Sequence, residues 1–330
     1  MIAPLRPLYL SAALLFLLPG ATVDQVTFHA EEGTSVQRTF DFSLSMELQS
    51  MSMTVNDQEV PSDHFDGVEM KITDSQHVVV TDEYGALGDG RPAKLTRSFD
   101  ELTGKSGESQ SGPMGDSDTD QDKSSGLEGT TVVFTWDDEA EAYDAAFQDD
   151  GDEDLLADLV EDMDLRGFLP DGDVEEGDAW DADIDAFKRL LEAGGDLDLR
   201  TEDEQRSELQ DQLSENLEGD VRVTYAGTRE EDGVRVAVLK LEVSASTEGS
   251  GTQDGPRGET EQTVTMEFDL EGELLWAVEA GHLQSVELSG GLDSVLENHS
   301  TFDGGQGPME AVQTMTFEGE VDFTAAVADA

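Results

Sequence analysis

The 330-residue sequence contains no cysteine. That excludes disulfides, zinc–thiolate and iron–sulfur centres, thiol catalysis and lipid attachment through a cysteine. Basic residues are scarce: 18 Lys and Arg stand against 77 Asp and Glu, for a net charge of −59 at pH 7. This argues against nucleic acid as a partner, because phosphate binding needs clustered Lys and Arg. It argues equally against attraction to an anionic membrane surface. Aromatic residues amount to only 6%. Past residue 18 no run is apolar enough to cross a bilayer, which takes about 20 residues.

What is present begins with residues 1–21, which read as a secretory signal peptide. Arg6 supplies a weakly basic start, Leu8 to Leu18 (LYLSAALLFLL) a short apolar core, and Pro19-Gly20-Ala21 a break with small residues. The expectation is a secreted or periplasmic protein, released by cleavage and, with no cysteine after the apolar core, not a lipoprotein. Carboxylates at this density repel one another in dilute buffer. At about 1 M salt the screening length falls to about 3 Å and the same charges become harmless. Asp outnumbers Glu, 41 to 36, and Lys occurs only six times. The composition resembles that of proteins from salt-loving organisms and implies non-specific cation association.

The charge concentrates in residues 137–220, with 33 acidic and 5 basic side chains. Calcium loops fit poorly there and in the preceding stretch. An EF-hand needs Gly at its sixth position and Glu at its twelfth. Counting from Asp116 gives Gln121 and Leu127, and counting from Asp150 gives Leu155 and Glu161. The five histidines, His29, His64, His77, His282 and His299, show no metal-ligand spacing. Gly104-Lys105-Ser106 lacks the upstream glycine of a phosphate loop, and Gly107-Glu108-Ser109-Gln110-Ser111 lacks the second glycine of a nucleophile elbow. No cofactor or metal site is expected.

Hydrophobic periodicity predicts strands over 26–100. Phe40, Phe42, Leu44, Met46 and Leu48 alternate with polar residues, and the phase flips to Met51, Met53 and Val55, which predicts a bulge near Ser50. Residues 103–126 hold almost nothing to bury and read as a flexible low-complexity loop. The segment 127–220 reads as mixed strand and helix. A strand at Thr131–Trp136 precedes a helical stripe of Leu155, Leu159 and Met163. A short strand around Trp180 follows, then a helix over 185–193, then a third helix opened by the Thr201-x-x-Glu204 capping box. Residues 221–330 return to strands, with Val221, Val223 and Tyr225 expected opposite Val234, Val236 and Val238 across a turn at 231–233. The fold class predicted is mainly β (α+β). A long, curled antiparallel sheet or partial barrel is built from both chain ends (22–102 and 221–330), with a helical acidic middle, and 22–330 forms one composite domain.

The most distinctive local element is Gly177-Asp178-Ala179-Trp180, which follows Phe168-Leu169-Pro170 and precedes Gly194-Gly195. Over residues 165–330 the chain resembles exported bacterial proteins of a family with no assigned function, in which a Gly-Asp-x-Trp element opens a strand ahead of a β-rich C-terminal half. The resemblance implies a β-rich exported domain and carries no catalytic residue. Gly177, Asp178 and Trp180 are expected to be structural, with Trp180 anchoring the core. The function expected is a non-enzymatic binding or cell-envelope module with an apolar ligand or an envelope protein as partner. In its more specific form the sheet carries an apolar ligand such as a lipid, with Phe40, Phe42, Leu44, Trp276, Phe317 and Phe323 facing inward to a ligand or a plain core. The competing class is a hydrolase using carboxylates, whose catalytic pair cannot be singled out among 77 acids.

Overall fold

Period-two alternation runs through most of the chain, and it builds strands of unusual length. The computed structural model describes residues 26–330 apart from 89, 114, 202–207, 256–257 and 304–307. The expected signal segment 1–21 and Glu204 of the expected capping box lie outside the described residues. In the first half the strands are β1 (Ser35–Val55), β2 (Gln58–Glu59), β3 (Glu69–Tyr84), β4 (Leu87–Gly88), β5 (Arg91–Pro92), β6 (Lys94–Ser111), β7 (Ser117–Ser124), β8 (Thr131–Asp137) and β9 (Ala142–Phe147). Then come β10 (Ala179–Ala182), the helices α1 (Ile184–Leu191) and α2 (Glu208–Glu215), β11 (Glu218–Glu231), β12 (Val234–Gly255), β13 (Gly258–Ala277), β14 (His282–Asp303) and β15 (Pro308–Asp329).

One antiparallel sheet takes in nearly all of them, in the order β10-β11-β12-β13-β14-β15-β1-β3-β6-β8-β9, with β2 added to β1 and β7 to β6. The two ends of the chain meet in its middle, where β1 pairs with β15 from Val36 opposite Asp329 to Val55 opposite Ala311. The sheet is therefore built from both chain ends, as the patterning implies, and it is not closed. Gln49 is the extra residue of a bulge between the Leu48–Phe317 and Ser50–Thr316 pairs, which explains the phase flip in the sequence.

The sheet curls. Lys123, on β7, and Thr247, on β12, border one cavity although six strands lie between theirs, a span of about 34 Å in a flat sheet at about 4.8 Å per strand. A diagonal of glycines marks a crease. Gly272 lies opposite Leu241 and Leu288, Gly290 opposite Leu270 and Val321, and Gly319 opposite Leu292 and Met46. A methyl group at Gly290 would sit 2.2 Å from the carbonyl oxygen of Asp269, so only glycine lets the strands bend this closely.

Three expectations need correction. The stripe Leu155, Leu159, Met163 forms no α-helix. A single 3-10 turn covers Glu153–Leu156, and Leu159 then bridges Gly195. The reason lies in Glu161, Asp162 and Asp164, which are buried against cationic partners that bind the segment's backbone and side chains in an irregular, bent path. Residues 103–126 do not form a loop throughout. β6 continues to Ser111, and β7 pairs with it from Thr103–Ser124 to Gln110–Ser117. This ladder is held by backbone bonds between largely exposed residues, so hydrophobic patterning gives no sign of it. Third, β11 and β12 do form a hairpin turning at Asp232-Gly233, but its register differs: Val221 faces Val243, Val223 faces Leu241 and Tyr225 faces Leu239. Val234 and Val236 pair instead with Glu231 and Arg229. With Val238, Leu275 and Ala226 they form a small apolar cluster apart from the main core. The helix expected over 185–193 is α1, capped by Asp183, and the short strand around Trp180 is β10.

Candidate functional site

Nearly all the apolar burial is on the inner face of the sheet, and what covers that face defines the site. Residues 157–168 cross it as a strap, followed by α1, the loop 193–200 and α2. Positive φ at Gly195 (+87°) lets the strap approach, since a side chain there would meet the carbonyl oxygen of Asp158 at 2.1 Å. Val160 N–H donates to the Gly194 carbonyl at 2.8 Å, and Asp196 N–H to that of Asp158 at 3.1 Å.

Charged residues fasten the strap from below. Arg97 of β6, fully buried, donates from Nε to Asp82 Oδ1 at 2.7 Å and from its two terminal nitrogens to the carbonyls of Val160 (2.9 Å) and Glu161 (2.8 Å). Arg38 of β1, also fully buried, reaches Asp82 Oδ2 at 3.2 Å and Asp164 Oδ1 at 2.5 Å, and bonds the hydroxyl of Tyr84. Tyr84 donates in turn to Asp164 Oδ2 at 2.7 Å. Within the strap, Arg166 binds Asp162 Oδ1 through Nε at 3.0 Å and pairs with Glu161.

These groups shift one another's proton affinity. Burial alone would raise Asp164, but Arg38, Arg166 and the Tyr84 hydroxyl outweigh it and hold the carboxyl below its ordinary value. Burial raises Tyr84 well above the usual phenol range. Burial also pushes Glu161 up to about 7, helped by the neighbouring Asp162 and opposed by Arg166 and Arg97. The cluster is thus a network of buried ion pairs around Arg38 and Arg97, in which Arg38 Nε and Arg166 Nη1 are left without a hydrogen-bond partner.

Beside it, between the inner face and the cover, lies a cavity of about 820 Å³. Its floor is Phe40, Phe42, Val78, Met266, Phe268 and Phe323, and its roof carries Leu159, Val160, Leu191, Leu199, Leu213 and Leu217. Phe187 of α1 packs edge-on against Phe268 at 5.9 Å. The mouth is polar and of mixed sign, with Lys123 paired to Asp74 at 2.5 Å and Arg200 to Asp196 at 2.7 Å. Cavities of about 300–1,000 Å³ with apolar walls and a few polar groups are what small-molecule sites are made of. Glu161 does not border this cavity.

No family model matches the chain, and no curated protein matches it. An outer membrane channel from Pseudomonas putida F1 aligns over 89% of this chain and 97% of its own, at 11% identity and a TM-score of 0.19. A likeness that low carries no argument about fold or function. Among the described residues there is no group of three or more potential metal ligands, and no helix is long and apolar enough to cross a membrane.

Of the residues picked out from the sequence, Phe40, Phe42 and Phe323 come together on the cavity floor. Leu44 lies a row further along the same face, packed against the core. Trp276 and Phe317 are buried in the core and do not border the cavity, and Trp276 donates its indole N–H to the Thr27 carbonyl at 3.2 Å. Gly177 has φ +97° and donates its N–H to the Tyr225 carbonyl at 2.8 Å, while Asp178 accepts from the Glu175 N–H at 2.9 Å. Trp180 pairs opposite Val223 and bonds the Phe168 carbonyl at 3.2 Å, so the element ties β10 to the end of the strap. Sequence reading missed the ionic cluster. Its signal was available: Arg38 shares the phase of Phe40 and Phe42, and Arg97 that of Leu95 and Phe99, which are inward positions.

Proposed function

We propose that this protein is an exported, salt-adapted binding module without catalytic function, and that it holds an apolar ligand between the inner face of its sheet and the strap–helix cover. The observation that carries the reading is the 820 Å³ cavity, floored by four phenylalanines and roofed by leucines from the strap, α1, the loop 193–200 and α2. A core that merely had to be filled would close such a space, because voids of this size cost packing energy. The mixed charges at its mouth suit a ligand with one polar end. The hydrolase alternative calls for a raised-pKa acid facing a cleft. Glu161 has the raised pKa, but it is bonded to Arg166 within the strap and does not border the cavity.

Titration of the folded protein in concentrated NaCl with a fluorescent fatty acid tests the reading. Saturable binding near one per chain, weakened at least tenfold by Phe42→Asp, is the expected result. Binding that does not saturate, or that Phe42→Asp leaves unchanged, contradicts it.

The salt-adapted part rests on the outer face. Glu267, Asp293, Glu318 and Glu47 lie side by side on four successive strands, and among the described residues the cation paired with this row is Lys71, 3.3 Å from Glu47. Glu242 faces Glu271, and Glu273 faces Glu287. Like charges directly opposed across strands are destabilising unless screened.

A further inference from the structure

The apolar inner face does not stop at the cavity. Thr247 and Met266, which border it, begin a row that crosses the sheet through Ser294 and Phe317 to Leu48. The next row outward runs Val264, Leu296, Met315, Met51, and on β3 Met70 adjoins Lys71, the residue opposite Glu47. Leu48, Met51, Met70, Met266 and Leu296 are only half-buried, yet all pack against the main core from the inner side. The strap lies toward the other end of the sheet, and α2 packs on β12. The result is a methionine-rich apolar continuation of the cavity floor, the trough, whose half-buried side chains flank the buried Val264, Ser294, Met315 and Phe317.

We propose that the trough receives the far part of the cavity's ligand, so that the ligand class is a long-chain amphiphile whose acyl chain outruns the cavity and continues over Met266, Leu48, Met51 and Met70. The proposal rests on the reading of the cavity as an apolar-ligand site. Two features favour an acyl chain over a peptide. The strands beneath the trough have their backbone groups committed to sheet neighbours on both sides, so a peptide laid there would find no partners for its own N–H and C=O groups. A buried amide without partners is costly, whereas a methylene chain brings none. Unbranched methionine side chains also adapt to chains of different length and saturation.

The test is affinity against chain length, using saturated fatty acids of eight to eighteen carbons, about the range of common acyl chains, and the intact protein in concentrated NaCl. Each methylene that becomes buried tightens binding about fourfold. The expected result is a rise that continues to the longest chains. In a Met51→Gln, Leu296→Gln double variant, short-chain affinity is retained and the rise stops early. Because a variant can fold poorly, peroxide oxidation followed by mass spectrometry gives a second reading on the unaltered protein, with buried Met163 as the internal reference. Long chains are expected to protect Met51 and Met70 several-fold, and short chains only Met266. If affinity levels off at short chains in the unaltered protein, or Met51 and Met70 oxidise equally with and without long chains, the trough is no part of the site and the cavity reading stands alone. Protection of Met51 without ligand, rising with protein concentration, would assign the trough to a second copy and overturn the proposal. Absence of binding at every length removes the cavity reading and this one with it.

Discussion

Arg97 stands between Leu95 and Phe99 in the inward phase of β6, a position where the pattern calls for an aliphatic side chain. Its use there is to hold the strap, through two carbonyls that have no helix or sheet partner, while Asp82 balances its charge. Replacing one partner of a buried pair leaves the other uncompensated, at a cost of about 3–5 kcal/mol. Arg97→Met is therefore expected to lower stability by that order in urea unfolding, and Asp164→Asn to do likewise at neutral pH. The two ionisable acids act in opposite directions. Asp164 is depressed, so its contribution is present above the unfolded carboxyl value and is lost as pH falls through its folded one. Glu161 is raised from 4.5 to about 7, so its contribution is complete below 4.5 and disappears as pH rises to about 7. Glu161→Gln is expected to flatten the stability profile between those values and to make the protein more stable than the parent at pH 8. A variant less stable than its parent at pH 8 would show that the Arg166 pair outweighs the burial of the charge.

At the scale of elements, the sequence was legible wherever one face of a strand was wet. The alternation from Phe40 to Leu48 located β1, and its phase flip located the bulge at Gln49. α1 was readable from its apolar spacing, and the structure adds its cap, Asp183. Legibility failed where something other than apolar burial held the backbone. β7 is a strand of Ser, Asp, Thr, Gln and Lys that exists by hydrogen bonding to β6. The strap carries a helix-like leucine spacing but is held in a bent, non-helical path by ion pairs that periodicity does not see. The cavity floor was half legible, since Phe40, Phe42 and Phe323 share an inward phase, while Met266 and Phe268 reach it only through the curl. That curl depends on the crease glycines. Gly290→Ala places a methyl group against the Asp269 carbonyl and is expected to cost about 1–3 kcal/mol, the usual toll of overpacking. An alanine variant with an unchanged unfolding midpoint would show that the strands there have room to separate.

For the whole molecule, charge and fold divide the two faces between them: carboxylate rows outside, apolar rows and a cavity inside. Screening at high ionic strength reaches the exposed outer rows and leaves the buried Arg38 and Arg97 pairs almost untouched. The unfolding midpoint should therefore climb steeply from about 0.1 to 1 M NaCl, where the screening length drops from about 10 to about 3 Å, and level off above. Glu318→Lys, placed between Asp293 and Glu47, should reduce that slope while raising stability in low salt. A midpoint indifferent to salt would remove the salt-adapted reading without touching the cavity.

The central claim is that the inner face holds an apolar ligand, and the most direct measurement is of what the folded protein carries. The chain is expressed with export in a salt-loving bacterial host, purified in concentrated salt and extracted with organic solvent, and the extract is analysed by mass spectrometry. The account predicts a long-chain amphiphile at close to one molecule per chain, absent from an equally folded Phe42→Asp variant. Folded protein that yields no lipid, or yields it equally from the variant, would contradict the account.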